Sequence, residues 1–446
     1  VEEAMTKEFN RREALKTGAA VIAGAGMLGA GFAPFDAAAQ TMDLKPESGA
    51  SLRILRPAKF VQGDETLFLA NAKKYEAATG VKVRVDSESW EDLRPKSSVA
   101  ANVGRGPDVI YGWFDDAHLY PEKLVELTDV AEYLGKKYGG WFPAAERFGK
   151  KDGKWICIPL GGSGSTMNYR ISWAKEAGFE TFPSDLAGFL KLCQALHKNG
   201  HPPGMALGNA TGDANGWTHW CLWAHGGRLT NDKDQVTIDS PATEAALNYA
   251  KQLYATFIPG TLSWLDPSNN KAFLSGEIGL TNNGISVYYA AKTSTDPKMQ
   301  ELAKDINHGP MPVGVSGKPT ELATIVPAMV FKYSKFPNAA KDFIRFMLER
   351  EQYEPWMDAS IGYWGHPLAA YDSLKIWTVD PKHQPYANVI KNSLWPSFDG
   401  SLGAASAGCL ADFIVVNMFA SVCAGQRTPK EAMAEAAKRA KRYYDV

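Results

Sequence analysis

The chain has 446 residues, 45% of them hydrophobic and 22% charged, a globular composition long enough for two or three domain-sized units. Its 48 Lys and Arg against 49 Asp and Glu leave a net charge of −1. A nucleic-acid binder carries a basic excess or stripe, and none is present, so no nucleic-acid partner is expected.

The first forty residues read as an address. Arg11-Arg12 precede an uncharged run rich in Ala and Gly, Gly18 to Phe35, and Ala37-Ala38-Ala39 follow. A charged start, a mild apolar core and a small-residue site predict a signal peptide over residues 1–39, cleaved near Ala39/Gln40. Paired arginines before a weakly apolar core are similar to a twin-arginine (Tat) signal. As a membrane anchor the run is short and poor in large side chains. The expected location is the periplasm. Gly24-Ala-Gly-Met-Leu-Gly29 fits G-x-G-x-x-G but has no preceding strand and no βαβ unit, so no dinucleotide, and no other cofactor, is expected.

Beyond this segment, Leu52–Leu55 predicts a strand. Leu67, Phe68, Asn71, Ala72 and Tyr75 follow helical spacing up to a stop at Gly80. Val81, Val83 and Val85 alternate as a strand. A helix is predicted near 90–102, broken by Gly106-Pro107, and Asp108–Tyr111 begins another strand. This alternation predicts an α/β fold with a parallel sheet wrapped by helices. The apolar run Trp155–Ile158 ends at Pro159, and Gly161-Gly-Ser-Gly-Ser165 follows, where the chain is expected to pass between lobes. Helices are predicted from Ser184 to about His197 and from Ser240-Pro241 onward. Ala340, Phe343, Ile344, Met347 and Leu348 mark an amphipathic helix. Thr428-Pro-Lys-Glu431 is a capping box that opens the last helix. Cys157, Cys193, Cys221, Cys409 and Cys423 are odd in number and form no C-x-x-C, which predicts buried free thiols.

Several stretches carry a joint resemblance. They are Lys73–Val83, Gly106-Pro-Asp-Val-Ile110, Gly153-Lys-Trp-Ile-Cys-Ile-Pro159, Ala224–Leu229, Ala272–Gly284, Pro337–Phe343 and Gly425–Ala432. In order and spacing they resemble the extracellular solute-binding protein family 1, the ABC transporter sugar-binding proteins that include the maltodextrin-binding protein. The resemblance implies a two-lobed periplasmic binding protein fold, type II-like, with a multi-strand hinge around a ligand cleft. The N-terminal lobe would take 50–161 and 309–361, and the C-terminal lobe 162–308 and 362–446. It implies a monomer that captures a small carbohydrate or polyol without turning it over. The guest would pass to the transmembrane subunits of an ABC permease. Sugar binders of the family often place a Trp shortly after the last Gly of the 272–284 signature. Gly284-Ile-Ser-Val-Tyr288 has none, which points to a smaller ligand.

Sugars show apolar C–H faces and hydroxyl edges, which aromatic faces and Asp, Asn, Gln or Ser match. Trp113, Asp115 and Asp116 follow the 108–111 strand, where a strand end would meet the cleft. The bland alternative is that Trp113 closes the lobe core. Trp217 leads the stripe Trp217, Trp220, Trp223, whose spacing is as typical of core as of a site. Trp364 stands on a loop of turn formers and Trp90 before a helix. Gln62, Ser163, Ser165, Asn283 and Ser286 are the remaining candidates for contacting ligand. Catalytic readings are weaker. Gly161–Ser165 lacks the second Gly of a nucleophile elbow, His219-x-Cys221-x-x-x-His225 fits no common zinc spacing, and adjacent Asp115 and Asp116 make a poor glycosidase pair. No catalytic or metal site is expected. The alternative cargo is anionic or peptidic, such as a glycerol phosphate, an amino-acid derivative or a peptide. An anion would need Arg or Lys in the cleft, with Arg147, Lys154 and Arg170 the nearest in sequence.

Overall fold

The computed structural model describes residues 42–445; the expected signal peptide and its cleavage site lie outside them. Strands in chain order are β1 (Ser51–Pro57), β2 (Lys82–Glu88), β3 (Val109–Tyr111), β4 (Lys150–Lys151), β5 (Lys154–Trp155), β6 (Ile158–Ser163), β7 (Thr166–Arg170), β8 (Leu280–Asn283), β9 (Ile306–Gly309) and β10 (Thr324–Val330).

The first lobe is built on a sheet of order β2-β1-β3-β10-β6. β1 pairs in parallel with β2 and β3, while β10 runs antiparallel to β3 and β6. Helices cover the sheet, so Leu52, Ile54, Val109 and Ile110 are fully buried, as parallel strands require. Pro327 stands opposite Pro159, and the register between β10 and β6 shifts there. Neither proline has an N–H to give to the ladder, and an irregular register is where a sheet tolerates that. Helix Gln62–Thr79 ends at Gly80, whose φ of 76° lets its N–H return to Glu76 O. Its Tyr75 and Phe68 meet Phe343 of helix Pro337–Met347.

The second lobe has the antiparallel sheet β8-β7-β9. Its central helix, Asp213–Ala224, is buried from Ala214 onward and packs against helices Pro241–Tyr254 and Ile414–Cys423. Helix Pro429–Tyr444 begins with the predicted capping box, Thr428 against Glu431. Ala404–Cys423 is long and apolar enough to cross a membrane by composition. It forms two helices, broken at Phe413 with φ 52°, and packs into this lobe. All five cysteines are buried free thiols.

The chain crosses between lobes at Gly164-Ser165, linking β6 to β7, and again between β9 and β10. Thr324 pairs with Ser163, and Gly162 bridges Gly365 on a third passage, so the crossings lie side by side. Residues after 361 stay with the first lobe for some distance. Leu368 bridges Trp141, and Tyr371 stacks on Tyr353 with centroids 4.8 Å apart. By Lys382 the chain has reached the second lobe, where its carbonyl lies 2.8 Å from His308 Nδ1.

Candidate functional site

Where the crossings meet, the lobes enclose a cavity with about 330 Å³ of free space, its mouth included. It lies off the ends of β1 and β2, where open α/β sheets bind ligands. Phe60 follows β1 and Trp90 follows β2. Ser163, Gly164, Ser165 and Thr324 come from two crossings and Tyr363 from the third passage. Asn283, Gly284 and Ser286 follow β8. Gly212-Asp213 and Asp266 stand at the starts of two helices.

The apolar side is Trp90 with Phe60 against it edge to face, centroids 4.9 Å apart. Trp90 Nε1 donates to Ala58 O at 3.1 Å, which fixes the ring. Behind it lie Trp113, with ring centroids 4.2 Å apart, and Trp364, nearly parallel at 6.4 Å.

The polar side is acidic. Asp266 accepts from the backbone N–H groups of Gly212 and Asp213, with its Oδ1 2.8 Å from Asp213 N, and so pins the start of helix Asp213–Ala224. Asp213 Oδ2 accepts from Asn269 Nδ2 at 2.7 Å. Burial, then the charge of Asp266, holds the Asp213 carboxyl well above the usual range. Burial pushes Asp266 up to about 6, with Glu91 adding to the rise against the backbone donors. Burial and the nearby carboxylates Asp64, Asp213 and Asp266 raise the Tyr363 hydroxyl. No Lys, Arg or His is among the described residues lining the cavity.

Five of the expected residues line this space: Trp90, Ser163, Ser165, Asn283 and Ser286. The polar groups of Asn283 and Ser286 are tied up with Asn270, whose Nδ2 donates to Ser286 Oγ at 2.9 Å. By contrast, the hydroxyls of Ser163, Ser165, Thr324 and Tyr363 make no side-chain hydrogen bond among the described residues.

The other expected residues lie elsewhere. Trp113 is fully buried behind Trp90 and donates its Nε1 to Trp90 O at 3.0 Å; it is core. Asp115 accepts from Ser406 Oγ at 2.8 Å, and Asp116 accepts from Trp113 N and from Arg94, so both support loops rather than face the cavity. Trp217 donates to Ala206 O and packs on Phe257 and Phe419 inside the second lobe. Trp364 donates to Asp64 Oδ1 at 2.9 Å and backs the aromatic wall. Gln62 is exposed at a helix start, bonded to Thr66.

Sequence reasoning missed Phe60, Asp213, Asp266, Thr324 and Tyr363. Tyr363 stands beside the chosen Trp364, and the turn presents the smaller ring. Asp213 lies in the Gly-rich stretch before the Trp217 stripe, and Asp266-Pro267 was a visible helix start.

Residues 70–385 match the model of a family described as bacterial extracellular solute-binding protein. A probable ABC transporter-binding protein of Deinococcus radiodurans is 23% identical over 214 residues, 46% of this chain and 50% of that one. The chain thus matches half the length of that relative. Diacetylchitobiose binding protein DasA of Streptomyces coelicolor is 22% identical over 317 residues, 68% of this chain and 71% of that one. Among solved structures, an ABC transporter solute-binding protein from Agrobacterium radiobacter K84 in complex with ribitol superposes with a TM-score of 0.74. It is 18% identical and covers 89% of this chain and 100% of that one. With its matching region spanning most of the chain, the two-lobed protein belongs to the bacterial extracellular solute-binding protein family.

Proposed function

We propose that this chain is the substrate-binding component of an ABC importer, which closes on a small carbohydrate or polyol and delivers it to the membrane permease. One observation carries the reading. Four hydroxyls, without side-chain partners among the described residues, and the carboxylates of Asp213 and Asp266 line a cavity walled by Trp90 and Phe60. Hydroxyls that face a cavity and are not engaged by other side chains can donate to and accept from a guest that carries hydroxyls of its own. The cavity is tight: its 330 Å³ counts open solvent at the mouth, and the enclosed space is smaller than a usual ligand pocket. That favours one ring or a short polyol over a long oligosaccharide. DasA, named for diacetylchitobiose, and the ribitol-bound protein place sugar and polyol cargo among its relatives and look-alikes.

The chain is read as a binder and not an enzyme, working as a periplasmic monomer exported through a Tat signal that ends near Ala39. The lobes are read as 50–161 with 309–377 and 162–308 with 382–446, which draws the last passage between Trp377 and Lys382 rather than at 361. A thermal-shift panel of monosaccharides, disaccharides, polyols, sugar phosphates and peptides tests the assignment. A sugar or polyol should raise Tm through linkage. A shift confined to peptides or amino-acid derivatives would end the carbohydrate reading.

A further inference from the structure

The cavity combines buried acid with an aromatic wall and has no cationic side chain among the described residues that line it. Asp213 and Asp266 share it, and Glu91 lies close enough to act on Asp266. Glu91 Oε1 is buried and without a hydrogen-bond partner. Arg56 and Arg94 stand on the elements that carry Phe60 and Trp90, but each is paired with a carboxylate of its own, Asp64 and Asp116, and neither lines the cavity. The donors that meet the two carboxylates are uncharged, Asn269 on Asp213 and backbone N–H groups on Asp266.

Two carboxylates side by side in a medium of low dielectric repel strongly unless a positive charge enters. Trp90, Phe60 and Tyr363 line the same space, and an aromatic face attracts a cation within about 6 Å. An anionic guest would meet carboxylates, aromatic rings and neutral hydroxyls, with no cation among the described lining residues to offset its charge.

Resting on the sugar or polyol reading, we infer that the cargo carries a protonated amine: an amino sugar or amino polyol whose ammonium sits at Asp213 while its carbon face lies on Trp90. The raised carboxyl of Asp213 fits this, since an arriving ammonium takes the place of the proton that otherwise relieves the pair. The same chemistry excludes sugar phosphates and sugar acids. Ser163, Ser165, Thr324 and Tyr363 then meet the hydroxyls.

The test is titration calorimetry on the mature chain with matched pairs that differ by amine for hydroxyl: glucosamine and glucose, galactosamine and galactose, glucamine and sorbitol, with glucose 6-phosphate as the anion. In the pair that binds best, the amine should bind at least tenfold tighter than its hydroxyl partner, and the phosphate should not bind. Asp213→Asn should shrink that ratio at least tenfold. A hydroxyl partner that binds as tightly as its amine overturns the inference and leaves the sugar reading standing. An unchanged ratio in Asp213→Asn overturns the placement of the ammonium. No sugar, polyol or amine binding, with a peptide or other solute bound instead, overturns both.

Discussion

Trp90 and Trp113 have ring centroids 4.2 Å apart, yet their loss should register differently. Trp90 borders the cavity, while Trp113 is wholly buried and bonded to the Trp90 carbonyl. Trp90→Ala removes stacking area and should weaken ligand binding by roughly 1–3 kcal/mol, on top of a loss of folding stability, since the ring is also packed on Phe60 and Trp113. Trp113→Ala opens a cavity in the first-lobe core and should cost about 3–5 kcal/mol of folding stability. Calorimetry alongside denaturant unfolding separates them; a Trp90→Ala protein of unchanged affinity would remove that ring from the binding surface. Which indole faces ligand was not legible from spacing, because a tryptophan at a strand end can close the core or line the cleft with the same neighbours in sequence. What decides it is a contact 23 residues away, Trp113 Nε1 on Trp90 O.

At the scale of elements, the crossings control how closely the lobes approach. The helix start at Gly212 comes against the opposite wall. A Cβ there would lie 3.0 Å from the Trp90 ring, 3.2 Å from Asp266 Oδ1 and 3.5 Å from Thr324 Oγ1. Its φ of −86° suits any residue, so the demand for Gly is one of space and not of torsion. Gly212→Val should fold, hold the lobes apart and raise Kd at least tenfold. Small-angle scattering with saturating ligand should show less compaction than wild type; equal compaction would show that the wedge is absorbed locally. The β1–β3 alternation and the helices ending at Gly80 and opening at Ser240 and Thr428 were readable, because apolar period and caps are local signals. The second-lobe strands β7, β8 and β9 were not. They are four or five residues long and bury polar side chains, Asn168, Thr281, Asn282 and His308, which a hydrophobic pattern cannot reveal. Asn168 and Asn282 are bonded across neighbouring strands, so tertiary pairing, not propensity, creates that sheet.

The whole molecule is held shut by contacts between lobes, and one of them titrates. Gly63 N donates to Tyr289 Oη at 2.8 Å, Arg147 sits 3.9 Å over the Trp395 ring, and Ser406 Oγ donates to Asp115. Asp115 is fully buried, and its Oδ1 has no partner. Burial pushes its carboxyl up to about 7, against the pull of Arg94 and the Ser406 bond. An acid raised in the folded state contributes stability fully below its unfolded pKa, near 4, and loses it as pH rises through 7. The buried histidines His118, His219, His308 and His366, each lowered to about 4 chiefly by burial, act in the opposite sense. Their contribution is present above about 6.5 and is lost as pH falls toward 4. The wild-type profile sums both, so the informative quantity is the difference between wild type and Asp115→Asn, in which the histidines cancel. The amide keeps an acceptor for Ser406 and cannot ionise. Asp115→Asn should therefore gain stability relative to wild type as pH rises from 5 to 8, by at most about 3 kcal/mol. Denaturant unfolding at the two pH values measures it, and a difference that does not change with pH would mean that Asp115 is ionised throughout.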